Sequence, residues 1–280
     1  MFTESTKNLL SKTTPINLRP PPILSLLVTL ILAVASAYAV MAQRGSANAP
    51  TPGSVIVRPR KIVITRSPAV TKHAPERKSA VIVLPMVSGL SDPEVLARVR
   101  AALDIKNAFQ LTLQEYREDT WLSDFGYEVN YNADYLLDIT FTQNGIGAYP
   151  DTHQRHLLLN LRNGTRVRAA EAFEPTKLDA LIELVNSELK RELQKLKSEH
   201  MAGLQDEDER QTLTDAYGHL EFDRLTIDEF EVGKTGVTFL FDAGFPHVMK
   251  ALEPQGRYFF SYKTLNDYIR RDGPLAKFRN

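Results

Sequence analysis

Residues 125–170 read FGYEVNYNADYLLDITFTQNGIGAYPDTHQRHLLLNLRNGTRVRAA. Phe125, Tyr127, Val129 and Tyr131 alternate with Gly126, Glu128 and Asn130, and a period of two marks a strand with one buried face. Asn132-Ala133-Asp134 offers a turn, after which Leu137, Ile139 and Phe141 resume the alternation, so a hairpin is expected. A glycine-rich loop, Asn144 to His153, comes next, and Leu157, Leu159 and Leu161 outline a third strand. Asn163-Gly164 is a strong hairpin signal, because a two-residue type I′ turn needs positive φ at both central positions. Strands joined by short turns make an antiparallel sheet. The fold class expected is α+β, with antiparallel sheets and packed helices.

Working outward, Ala80 to Leu84 reads as a short apolar strand stopped by Pro85. Ser91-Asp-Pro-Glu94 matches a capping box with Ser91 as N-cap, and the helix after it carries Val95, Val99, Ala102 and Leu103 on one face. Downstream, Leu178, Leu181, Ile182, Val185, Leu189, Leu193 and Leu196 form a 3.6-residue stripe, with Thr176 and Asp179 as candidate caps. The polar, acidic run Gln205 to Arg210 suggests a boundary. Beyond it, Ile227, Phe230 and Val232, then Gly233 to Gly236, then Val237, Phe239 and Phe241 describe another hairpin. Arg257 to Tyr262 is a last strand, and Thr264 to Arg271 a short helix. The expected division is residues 1–42, 43–78, 79–204 and 205–280.

Ile23 to Ala42 is a run of twenty residues without a charge. As a helix it would span a bilayer core of about 30 Å. Its small residues, ending at Ala39 and Ala42, also resemble signal-peptidase sites. Signal peptide and uncleaved membrane anchor both remain open, and either places the residues beyond 43 outside the cytoplasm. Residues 43–78 are rich in proline, and from Val55 to Lys78 they hold seven Lys and Arg against Glu76 alone. They read as a semi-stiff basic linker, within which Val55–Val57 and Ile62–Ile64 offer short edge strands.

Charge and composition bound the function. From Ser79 onward there are 23 Lys and Arg against 32 Asp and Glu, so a basic tether precedes an acidic body. Nucleic acid rewards a basic face, and an acidic body suits a cationic partner. Cysteine is absent, which removes disulfides, thiolate nucleophiles and cysteine metal sites. No Walker, HExxH, GxSxG or GxGxxG pattern occurs. His153 and His156 lie three apart, which on a strand sends the two rings to opposite faces and makes a poor site for one metal. No metal, cofactor or catalytic residue is assigned. The candidate ligand-binding residues are Gly147, Tyr149, Asp151 and His153 in one loop, and Phe245 and His247 in the other.

The order of features resembles a family of extracytoplasmic modules. These are VIVLP before a capped helix, GYEVNYN and LLDITF, then GIGAYPDTHQRHLLLNLRNGTRVRAAEAF, a long helix, and a closing LTIDEFEVGKTGVTFLFDAGFPHVMKALEPQGRYFFSYKTLNDYI. The family includes the lysozyme-binding module of the anti-sigma factor RsiV and the accessory domain of the peptidoglycan deacetylase PdaC. The resemblance covers roughly Ser79 to Phe278, with Tyr149 standing where the family's loop carries a histidine. It implies an α+β fold outside the membrane and a binding or sensing role toward a protein or cell-wall component. The competing expectation is a cell-wall hydrolase or deacetylase using acids near Asp151 and His153.

Overall fold

A computed structural model describes residues 52–203 and 206–279, with His247 and Val248 described by backbone alone. All belong to one compact unit, Ala47–Asn280. The uncharged run 23–42 lies outside the described residues, and among these no helix is long and apolar enough to cross a membrane.

The sheet begins inside the stretch expected to be a linker. Strand β1 (Ile56–Thr65) pairs antiparallel with β2 (Ser79–Ser88) along its whole length, so the folded part does not start at Ser79. Ile64 and Ile82 on this pair are fully buried, and the two short apolar runs of the linker belong to one strand. Arg66, just past β1, is a buried charge rather than a solvated one. Its guanidinium donates to the carbonyls of Tyr116, Arg77 and Leu122 at 3.3, 2.7 and 2.7 Å. Burial lowers its pKa while the three carbonyls hold it in place.

Three helices cross from β2 to its parallel neighbour β3: α1 (Pro93–Ala102), α2 (Ile105–Phe109) and α3 (Leu113–Glu118). Asp92, not Ser91, caps α1, accepting from the Glu94 and Val95 amides, with Pro93 in the first turn where no donor is needed. Thr112 and Glu115 form a full capping box on α3. Tyr116 on α3 donates its hydroxyl to Gln143 Oε1 at 2.8 Å, and burial pushes this phenol up to about 12. A raised phenol pKa favours the neutral form in the folded state, so its contribution is complete below the unfolded value near 10 and is lost as pH climbs from about 10 to 12. We therefore expect Tyr116→Phe to cost stability at pH 8 and to flatten part of the alkaline decline. Urea unfolding across that window would show parallel curves if the phenol does not titrate there.

Strands β3 (Leu122–Ala133), β4 (Leu136–Ile146), β5 (Pro150–Asn160) and β6 (Thr165–Arg166) complete a six-stranded sheet in the order β1-β2-β3-β4-β5-β6. Leu137, Ile139, Phe141 and Leu159 are fully buried against the α1–α3 layer, as their alternation predicts. The supposed loop Asn144–His153 is mostly ladder, running to Ile146↔Pro150, and only residues 147–149 turn. The β3 alternation breaks twice, first at Ser123 between Leu122↔Gly145 and Asp124↔Asn144. A register shift between Val129↔Ile139 and Tyr131↔Asp138 inserts Asn130 as a bulge, so Tyr131 packs on the opposite face from Phe125 and Tyr127.

The two-residue turn with positive φ at both positions is not Asn163-Gly164. It is Asp134-Tyr135 (φ 58° and 64°) between β3 and β4. There the Asp134 and Tyr135 amides donate to the carbonyls of Pro52 and Gly53, so the described chain enters at this turn. The β5–β6 connection is four residues long, with Gly164 alone at positive φ (75°). A Cβ on Gly164 would lie 2.8 Å from Arg98 Cβ and 2.9 Å from the Val95 carbonyl oxygen. Gly164→Val is expected to cost about 1–3 kcal/mol, through backbone strain and this clash with α1. A melting temperature equal to that of the wild type would show that the turn can relax.

A second layer covers the other face of β4 and β5. The helical turn α4 (Ala169–Ala172) leads through a 3-10 turn into α5 (Leu178–Met201), which begins without a side-chain cap. Leu178, Leu181, Ile182, Val185, Leu189 and Leu193 of α5 are buried, as the stripe predicts. Helix α6 (Glu207–Gly218), capped by Asp206, stands where the acidic run suggested a boundary. Strands β7 (Phe230–Val232), β8 (Gly236–Leu240) and β9 (Arg257–Ser261) form a second antiparallel sheet, followed by the short α7 (Tyr262–Leu265). Its inward phenylalanines share one core with α5, α6, Leu136 and Leu158.

Candidate functional site

The even-numbered positions of β4 and β5 pass from core to solvent along one face. Leu136 and Leu158 are in the second core, and Asp138 is fully buried. Beyond them come the cross-strand pairs Thr140↔His156, Thr142↔Gln154 and Asn144↔Thr152. Strand β3 adds Glu128, Gly126 and Asp124 opposite Thr140, Thr142 and Asn144.

At the inner end, the Asp138 carboxylate is held by three groups. His156 Nε2 lies 2.7 Å from Oδ1, Asn130 Nδ2 donates to Oδ1 at 2.8 Å, and the Val232 amide of β7 donates to Oδ2 at 2.7 Å. With its proton on Nε2, the imidazole donates to Asp138 and its Nδ1 stays buried with no hydrogen-bond partner among the described residues. The bulge at Asn130 aims that amide at Asp138, and β7 closes the pair from the second sheet. Low dielectric makes such a pair costly to break, and here it ties the two sheets together.

At the outer end, the β4–β5 tip and the 3-10 turn His247–Leu252 enclose an open cleft of about 650 Å³. Asn144, Asp151, Thr152, Lys250 and Glu253 line it, together with Ser123 and the tip backbone. The Asn144 side chain is held on both sides, donating to Asp124 Oδ1 at 2.9 Å and accepting from the Thr152 hydroxyl at 2.8 Å. Lys250 donates to both Glu253 oxygens at 2.9 and 3.1 Å. That hydrogen-bonded carboxylate, with the charges of Asp242 and Asp151 beyond it, raises the Lys250 ammonium pKa. Rigid pairs of polar groups with more carboxylates than cations can bind a basic side chain by hydrogen bonds and charge.

Of the residues expected to bind, the structure brings four to the tip. Gly147 and Tyr149 form the turn itself, Tyr149 being 61% exposed. Asp151 lines the cleft, and His153 Nε2 lies 3.2 Å from its Oδ2. The His153 ring leans on Trp121, centroids 5.2 Å apart, and Trp121 lies flat against Gly145, where a Cβ would come within 2.2 Å of the indole. Phe245 does not present its ring. It is buried beside Tyr217, and its amide donates to Glu253 Oε1 at 2.8 Å. His247 opens the turn that carries Lys250, and its side chain lies outside the described residues. His153 and His156 do face opposite ways, because they pair with Gln143 and Thr140 on opposite sheet faces. Among the described residues, no three metal-ligating side chains come together.

Sequence reasoning missed Lys250, Glu253, Asn144 and Thr152, none of which stands in a motif. Two signals were legible. Trp121 is the only tryptophan, and Asp138 interrupts an apolar strand.

No protein-family model matches the chain, and no curated protein matches it. Among solved structures, a DUF3298-family protein from Bacteroides fragilis is similar over 82% of this chain and 99% of its own, with a TM-score of 0.51 and 13% identity. The fold is DUF3298-like. A DUF3298-family protein from Pseudomonas aeruginosa aligns over 79% of this chain and 95% of its own, with a TM-score of 0.49 and 14% identity. At such identities the DUF3298 likeness carries the architecture and no activity.

Proposed function

We propose that this DUF3298-like protein is an envelope-side binding module, exported or membrane-tethered through residues 23–42, that takes a cationic protein as its partner at the cleft of the β4–β5 tip. One observation carries the reading. The hairpin tip that holds Asp151 and the turn that holds Lys250 and Glu253, about 100 residues apart in sequence, meet in a single open cleft in which Asp151 and Glu253, with Asp242 close by, outnumber Lys250. With β1 counted in the fold, the described residues hold 30 Lys and Arg against 33 Asp and Glu, so encounter with a basic partner rests on the carboxylates gathered at the cleft and loses force as salt rises, since screening acts over about 8 Å at physiological ionic strength. The described chain enters at the Asp134-Tyr135 turn, at the opposite end of β4 from the cleft. Eleven residues of strand separate the two by about 35 Å.

Calorimetry against lysozyme, at low and near-physiological salt, tests the reading, with cytochrome c as an unrelated basic control. Binding is expected to prefer one basic protein and to persist at physiological salt. Asp151→Asn with Asp242→Asn should weaken it by about three- to tenfold, the effect of about 1 kcal/mol. Equal binding of both proteins that vanishes with salt, or no effect of the two substitutions, would remove the cleft from consideration. A reporter joined after Asn280 tests location, and activity on the cytoplasmic side would overturn it. Sequencing the mature N-terminus separates an anchor from a signal cleaved after Ala39 or Ala42.

A further inference from the structure

Folding does not disperse the basic stretch around β1. Between Pro52 and Ser91 the chain holds seven Lys and Arg and a single acid, Glu76, which pairs with Arg77 at 3.5 Å. Strand β1 is the outermost strand of the large sheet, with a strand on one side only, and Arg58, Arg60 and Lys61 stand exposed in its middle. Among the described residues, none of these three side chains has an ion pair or a hydrogen bond. An exposed stripe of unpaired cations fits an anionic partner.

Apolar side chains are exposed beside the cations. Ile56 and Val63 on β1 are 42% and 55% exposed, and Met86, the β2 partner of Arg58, is 50% exposed. Cross-strand partners and residues two apart share a face, so Ile56, Arg58 and Met86 lie together, and Lys61 and Val63 lie together. A soluble polyanion would engage the cations and leave these apolar groups in water. A bilayer interface takes both, phosphate groups for the cations and the headgroup boundary for the apolar side chains.

The backbone argues against an added strand here. The Arg66 amide donates inward to the Lys78 carbonyl at 2.8 Å, and alternation back along β1 then turns Pro59 outward. A proline flanked by cations breaks the outward row of donors and blunts the edge against strand pairing. The side chains are what this edge offers. The nine residues 43–51 span at most about 30 Å when extended, so an uncleaved anchor at 23–42 would keep β1 within reach of the bilayer surface.

We propose that the outer side of β1 docks on a lipid surface rich in anionic headgroups. Arg58, Arg60 and Lys61 pair with the phosphates, and Ile56, Val63 and Met86 enter the interface. This goes beyond the cleft reading and does not rest on it.

The chain has no cysteine, so single reporters can be introduced for the test. Met86→Cys and, as a control, Gln154→Cys carry an environment-sensitive fluorophore in the full chain, reconstituted in vesicles that contain nitroxide-labelled lipid. Gln154 is exposed on β5, four strands and about 19 Å across the sheet from β1. In equal parts of phosphatidylglycerol and phosphatidylcholine, the Met86 reporter should be strongly quenched and the Gln154 reporter should not. Arg58→Gln, Arg60→Gln and Lys61→Gln together should weaken docking about hundredfold, since each cation near an anionic surface contributes about tenfold or slightly less. Quenching should then fall to the level seen in phosphatidylcholine alone, with the melting temperature unchanged. The proposal is overturned by an unquenched Met86 reporter, by equal quenching in phosphatidylcholine alone, by quenching of both reporters, or by no effect of the three substitutions. It is equally overturned if soluble polyglutamate, but not the anionic vesicles, changes the Met86 signal, which would make this edge a seat for an acidic protein.

Discussion

Replacing His156 by alanine is expected to cost about 3–5 kcal/mol, a large part of the 5–15 kcal/mol that holds a domain together. The substitution leaves the Asp138 carboxylate, which has no solvent exposure, with two of its three partners and a void where the ring stood. The loss falls on the junction between the sheets, because Asp138 on β4 also accepts from Val232 on β7. His156→Gln keeps a donor within reach of Asp138 and should recover more than half of the loss. Denaturant unfolding of the two variants measures this directly. A His156→Ala protein within about 1 kcal/mol of wild type would show that solvent reaches the pair and that the clamp is not structural.

Val185→Asp is expected to abolish the folded state. Val185 is fully buried at the centre of the α5 stripe, and an aspartate there would meet only the apolar side chains of the second core. An unpaired carboxylate in such a place costs several kcal/mol even after it takes up a proton, close to the whole stability of the domain. Val185→Ala, which only opens a small cavity, should cost about 1–3 kcal/mol and stay folded. Near-ultraviolet circular dichroism separates the two outcomes. A soluble Val185→Asp protein with native aromatic signal would mean that this face of α5 is wet.

Within one strand or one helix the sequence by itself determined a great deal. The alternation at Leu137, Ile139 and Phe141 and the stripe from Leu178 to Leu193 report burial directly, because side chains two apart on a strand, or three and four apart on a helix, must share a face. The α+β class comes from those two periods alone. Where one element meets another, only the tertiary structure decided. The basic stretch around β1 reads as a tether until β2 pairs with it along ten residues. Asn163-Gly164 and Asp134-Tyr135 exchange roles as the tight turn because Pro52 and Gly53 hold the second in place. Asp138 is buried rather than exposed because Val232, 94 residues later, supplies an amide at that point. The cleft likewise needs Lys250 and Glu253 brought against a hairpin tip that ends a hundred residues earlier. Periodicity is a property of neighbours, whereas the partner of a buried charge or an open edge is chosen by chain closure, which leaves no local pattern to read.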